Sequence, residues 1–146
     1  MILEIREIPF EKTLYGCHKA VGEGQKPADA MFAAMDETWG IVRQNKIANG
    51  GLNHVLYTSN RSVFAGLEIE PPILAVWGLA EMRVSFPRYA YCRHAGSYDL
   101  LGEAYQFITK EIAARGLATS AMSMEIYGHW NEDAAKLVTE ILVALE

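Results

Sequence analysis

Only two cysteines, Cys17 and Cys92, occur in the 146 residues of this chain. Two thiols make no disulfide framework, and no Cys-x-x-Cys pair or histidine cluster offers metal-ligand spacing. Reduced, structural thiols in a cytoplasmic protein are the expectation. Basic residues are also scarce: 13 Lys and Arg face 18 Asp and Glu, for a net charge of −5. That balance argues against the clustered cationic face with which proteins hold nucleic acid, and it gives no reason to seek anionic lipid. No apolar run reaches the ~18 residues needed to cross a bilayer. No basic segment followed by an apolar stretch marks a secretory signal at the start. A glycine-rich phosphate loop, a Gly-x-Ser-x-Gly elbow and a metal motif are all missing, so no metal and no cofactor is expected.

What is present is a globular composition. Hydrophobic residues make up 51% and charged residues 21%. A chain of this length can bury roughly two-thirds of its unfolded surface and supports a real core in one domain.

The chain also says similar things twice. Phe10, Tyr15 and His18 are echoed by Phe86, Tyr91 and His94 at a constant offset of 76 (86 − 10, 91 − 15 and 94 − 18). Val55-Leu56-Tyr57 is echoed by Glu125-Ile126-Tyr127 at an offset of 70 (125 − 55). A helix-like stretch lies within each copy. The reading is a strand–helix–strand–strand unit used twice, residues 1–72 and 73–146, within a single domain spanning 1–146. The expected class is α+β, with a mostly antiparallel sheet of about eight strands and two long helices framing a central groove.

Local patterns place the pieces. Ile2 to Ile8 alternates apolar and charged residues, as a half-buried strand does, and Pro9 interrupts it. Pro27 suits a first helical turn. Met31, Met35, Trp39 and Val42, with Phe32 alongside, form an apolar stripe ending before Asn49-Gly50-Gly51. Strands are expected at 13–19, 53–58 and 63–70, the last two joined by a turn at Ser59–Ser62. Residues 73–83 read least clearly. A strand over 88–94 is followed by an N-cap at Ser97, with Asp99 in the first turn. Leu101, Tyr105, Ile108 and Ile112 share a helical face, and Gly116 suits the C′ position. Strands at 122–128 and 137–145 close the chain.

Where the first copy has Val55, the second has Glu125, a lone acid at an otherwise apolar strand position. Glu125 and Tyr127 are two apart on a strand and share a face, with Met124 and Ile126 on the other. If Glu125 faces a groove of aromatic rings, its carboxylate is partly desolvated, and a cationic or hydrogen-bond-donating ligand relieves that cost. A partner such as Arg93 would satisfy it instead. Tyr57 with Tyr127 and Tyr15 with Tyr91 occupy matching positions, as the two sides of an aromatic clamp would, and each ring face can stabilise a cation by about 0.5–2 kcal/mol. Trp39 and Trp77 are candidates to line or cover the groove, and Trp130 to form its rim. His18 and His94 also match, and core packing is their expected role.

The run Tyr89-Ala-Tyr91-Cys-Arg-His94-Ala-Gly96-Ser-Tyr98, then Ala104-Tyr105, Glu125-Ile-Tyr127 and Thr139-Glu140-Ile141, resembles the GyrI-like small-molecule-binding family. The same module resembles the effector domains of AraC-type and MerR-type multidrug regulators. That resemblance implies a duplicated strand–helix–strand–strand fold with an aromatic groove on its pseudo-two-fold axis. It also implies that the acid of the Glu-Ile-Tyr motif, Glu125, lies in the groove. In regulators the module follows a helix-turn-helix domain, whereas this chain begins with its first strand, so no direct DNA binding is expected.

The implied function is a stand-alone cytoplasmic binder of amphipathic, cationic or toxic small molecules. It would use Glu125, Tyr127, Tyr57, Tyr91, Tyr15, Trp39, Trp77 and Trp130. Some stand-alone members of the family hydrolyse cyclopropane-bearing alkylating toxins, so Glu125 is also the candidate catalytic base. A gyrase-modulating protein–protein role, like that of the family's namesake, is the third reading. Neither the natural ligand nor the oligomeric state is legible.

Overall fold

The computed structural model describes residues 1–58, 61–70 and 78–146. Among them are eight strands: β1 (Leu3–Arg6), β2 (Phe10–Ala20), β3 (Asn53–Thr58), β4 (Ser62–Leu67), β5 (Ala80–Phe86), β6 (Tyr89–Ala95), β7 (Thr119–Tyr127) and β8 (Val138–Leu145). There are two α-helices, α1 (Pro27–Gln44) and α2 (Leu101–Ala114). The class is α+β, and the β1–β6, β6–β8, β7–β8, β2–β4 and β3–β4 pairings are all antiparallel. Ser59, Asn60 and residues 71–77 lie outside the described residues, and with them Trp77 and half of the expected Ser59–Ser62 turn.

The chain divides into two compact units, Met1–Phe10 with Ser85–Glu146 and Glu11–Val84. They do not coincide with the sequence halves. In the second-half unit the strand order is β1-β6-β8-β7, and in the first-half unit it is β5-β2-β4-β3. Each unit thus holds a strand–helix–strand–strand run (β6-α2-β7-β8 or β2-α1-β3-β4) preceded in the sheet by one more strand. That extra strand comes from the other sequence half. The expected elements do not include β5, although Ala80, Met82, Val84 and Phe86 alternate with Glu81, Arg83 and Ser85, a period-two signal.

In the first-half unit α1 begins with Pro27 in its first turn, where the missing N–H costs nothing. Its buried face is Ala30, Met31, Ala34, Thr38 and Val42. Phe32, expected beside the stripe, is instead 58% exposed. Val42 packs with Tyr15, Cys17 and Leu67, and Trp39 borders that cluster. In the second-half unit, Ser97 Oγ accepts from the Asp99 amide and caps a 3₁₀ turn at Tyr98–Leu100 that leads into α2. Gly116 follows the helix at φ +68°, the left-handed conformation that glycine takes without Cβ strain. Ala104, Ile108 and Ile112 of α2 pack on Leu3, Ala90, Cys92 and Ile141.

The register corrects part of the repeat. Tyr15 pairs with Leu67 and belongs to the cluster under α1. In the other unit the α2 face carries Ala90 and Cys92, so Tyr91, between them, points the other way. The offset of 76 therefore matches letters on opposite faces. An offset of 75 aligns Cys17 with Cys92, each beneath its helix. The offset of 70 survives: Val55 pairs with Ala65, whose carbonyl meets Thr38 of α1, and Glu125 pairs with Ile141 in the α2 cluster. Val55 and Glu125 are thus counterparts, as are Tyr57 and Tyr127. A one-residue slip reverses every side chain of a strand, which is why a constant letter offset is a poor guide in β2 and β6.

Candidate functional site

Glu125 sits on β7, on the α2 side of its sheet, with its neighbours Met124, Ile126 and Tyr127 all buried. It is 3% exposed. The Tyr105 hydroxyl, from α2, donates to Glu125 Oε2 at 2.6 Å, and the Tyr127 hydroxyl donates to Oε1 at 2.7 Å. These lengths match hydroxyl-to-carboxylate bonds, which are shorter and stronger than neutral ones. One donor comes from two residues along the same strand, the other from the helix lying over it. The carboxylate is therefore held from two directions. The Tyr98 ring meets the Tyr127 ring edge-on, with centroids 5.3 Å apart, which fixes the ring that carries one donor.

Beside this cluster is a cavity of about 290 Å³ between α2 and the β7–β8 strands. Its walls include Tyr105, Ile108, Ile112, Met122 and Val143, with Thr109 and Ser123 as polar points. Tyr105 joins the two features, because its ring lines the cavity and its hydroxyl reaches Glu125. An apolar lining with few polar groups is the usual make-up of a small-molecule site, and this one is at the small end of the range.

The other expected residues separate. Arg93 is exposed and stands opposite Glu140 in the β6–β8 register, on the face away from Glu125, so it is not the partner of the acid. Tyr91, on that same face, corrects the expectation of a clamp: its hydroxyl donates to Glu140 at 2.7 Å and Arg6 lies 3.6 Å over its ring. Burial first, then the Glu140 carboxylate, pushes the Tyr91 phenol up to about 12. Trp130 is 72% exposed and is not among the residues that line this cavity.

Three candidates lie in the first-half unit. Tyr15 is buried beneath α1 and its hydroxyl donates to Glu81 at 3.3 Å. The Trp39 indole donates to Asn53 at 2.6 Å, and Tyr57 is half-buried on β3.

His18 and His94 are not equivalent. His18 meets the Phe64 ring at a tilt of 58°, centroids 4.9 Å apart, and is exposed. His94 is buried, with Nε2 3.0 Å from the Ser97 carbonyl. Burial pushes both cysteine thiols up, which makes them poor nucleophiles. Among the described residues no group of His, Cys, Asp or Glu could hold a metal ion, and no helix is long and apolar enough to cross a membrane.

Sequence reasoning did not place Tyr105 beside Glu125. Periodicity assigns it to the apolar face of α2, and two signals were available: Ala104-Tyr105 belongs to the run that carries the family resemblance, and a tyrosine on a core-facing stripe needs a partner for its hydroxyl.

No protein-family model and no curated protein matches the chain at a significant level. Solved structures do. The C-terminal domain of EcmrR superposes with a TM-score of 0.72 at 22% identity, covering 99% of this chain and 97% of that one. SAV2435 bound to tetraphenylphosphonium gives 0.67 at 14% identity, covering 100% and 94%. A hydrolase from Listeria innocua gives 0.60 at 10% identity, covering 99% and 91%. The fold is the one these proteins share, and it is the fold that the GyrI-like resemblance implied.

Proposed function

We propose that the chain binds small lipophilic cations, with Glu125 as the charged anchor. The observation that carries this reading is a carboxylate 3% exposed, held by the Tyr105 and Tyr127 hydroxyls at 2.6 and 2.7 Å beside an apolar cavity. Burying a carboxylate costs free energy that hydrogen bonds offset only in part. A cation brought close to it offsets more, and the cavity wall supplies the apolar burial. The similarity in fold to tetraphenylphosphonium-bound SAV2435 supports the choice of a cation.

A second reading has its own observation. Hydrolysis needs another polar group converging on the acid, and two tyrosine hydroxyls do converge. A hydrolase shares the fold. In this reading Glu125 orients or deprotonates water and a tyrosine serves as the acid, on a cyclopropane-bearing alkylator.

One paired experiment separates the two. Glu125→Gln keeps size and shape. Calorimetric titration with tetraphenylphosphonium should show a loss of about 1–3 kcal/mol, as when a charge-assisted contact is removed. A neutral analogue of similar shape should lose much less. If the hydrolase reading holds, the same variant should keep toxin binding and lose product formation. Unchanged cation binding and unchanged turnover in Glu125→Gln would remove Glu125 from both.

A further inference from the structure

β1 ends its sheet: among the described residues its one neighbour is β6. Among the described residues no strand lies along its other edge, although the Arg115 guanidinium donates to the Leu3 carbonyl at 3.3 Å; such edges are surfaces that soluble proteins normally blunt. Leu3 and Ile5 turn toward the α2 core. Glu4 and Arg6 lie on the other face, in register with Tyr91 and Tyr89. Ile2 lies just before the strand and Ile8 at a bend just after it, and these are 77% and 83% exposed. The outer face of this strand therefore carries Glu4 and Arg6, with an exposed isoleucine just beyond each end.

That order is self-complementary. We propose that a second copy of this chain pairs with β1, antiparallel, about a two-fold axis passing through Ile5 and normal to the sheet. Glu4 of each copy then faces Arg6 of the other, and Ile2 and Ile8 cover one another. Antiparallel partners must share a face, so the pairing can slip only by two residues at a time. Centring on Glu4 sets Glu4 against Glu4, and centring on Arg6 sets Arg6 against Arg6. Only the register centred on Ile5 pairs unlike charges. Within one chain Arg6 now bonds Glu4 at 2.9 and 3.0 Å, and in the dimer each exchanges that partner for the equivalent one across the axis. The contact is isologous, as two-fold interfaces are, and short, so a weak, concentration-dependent dimer is expected.

Sedimentation velocity over a concentration series tests this. Wild type should shift from monomer to dimer. Ile8→Lys, at a position too exposed to matter for the monomer fold, should raise the dissociation constant at least tenfold. Glu4→Arg and Arg6→Glu should each be monomeric alone. The first carries two basic residues on the outer face of β1 and the second carries two acidic ones. An equimolar mixture of the two should dimerise, because each basic side chain of one copy then faces an acidic side chain of the other. Each single variant lacks the intrachain pair in either setting, so recovery on mixing reports the interchain register alone. A wild type that stays monomeric at every concentration, or a dimer indifferent to Ile8→Lys and to mixing, would overturn the proposal.

Discussion

At the scale of single residues, the Glu125 cluster is a set of three side chains whose contributions can be separated. Tyr105→Phe removes one donor from a buried carboxylate, and stability in urea should fall by about 1–3 kcal/mol. The same variant should also alter cation affinity, because the Tyr105 ring stays in the cavity wall while its hydroxyl no longer steadies the acid. Tyr91 offers a test by pH on the opposite face. Its phenol is raised from 10.0 to about 12, by burial and then by Glu140. The neutral phenol is the form the fold favours. Its contribution is complete below pH 10.0 and is lost as pH rises through about 12. Denaturation midpoints between those values should fall less steeply in Tyr91→Phe than in wild type.

At the scale of elements, the first-half unit depends on two strands approaching closely. Gly16 pairs with Gly66, and a Cβ on Gly16 would meet the Ala65 carbonyl oxygen at 1.9 Å. No rotamer relieves a clash with backbone, so Gly16→Ala should lose stability by about 3 kcal/mol or more, or fail to fold, read from expression and thermal melting. The Ala65 carbonyl also accepts from Thr38 of α1 at 2.8 Å, while the same hydroxyl lies 2.9 Å from the Ala34 carbonyl. Thr38→Val keeps the shape and leaves those carbonyls without this donor; a cost of about 1–2 kcal/mol in chemical denaturation is expected. The helices themselves were legible, because capping and stop signals at Pro27, Ser97 and Gly116 act locally. Which residues of α1 face inward was less so: Phe32 turns out and Thr38 turns in, since the choice depends on what lies across the sheet.

At the scale of the whole chain, the charge of −5 sets an expectation for partners. Duplex DNA titrated into the protein at low salt should show no sub-micromolar, salt-dependent binding. The exchange of leading strands, β1 into the second-half unit and β5 into the first-half unit, is a feature of tertiary pairing. No local pattern reports which edge a short strand will join, and contacts between residues so far apart in sequence leave no periodic trace.

The amino-acid sequence by itself determined the duplicated strand–helix–strand–strand plan, the helix boundaries to within a few residues and the Val55/Glu125 asymmetry. These rest on periodicity, turn chemistry and short motifs, which act within a few residues. Only the tertiary structure decided that Tyr91 turns away from Glu125, that His18 and His94 differ, and that Tyr105 is the second donor to the acid. Face and partner depend on strand register and on how a helix lies across the sheet, and a shift of one residue in register reverses both.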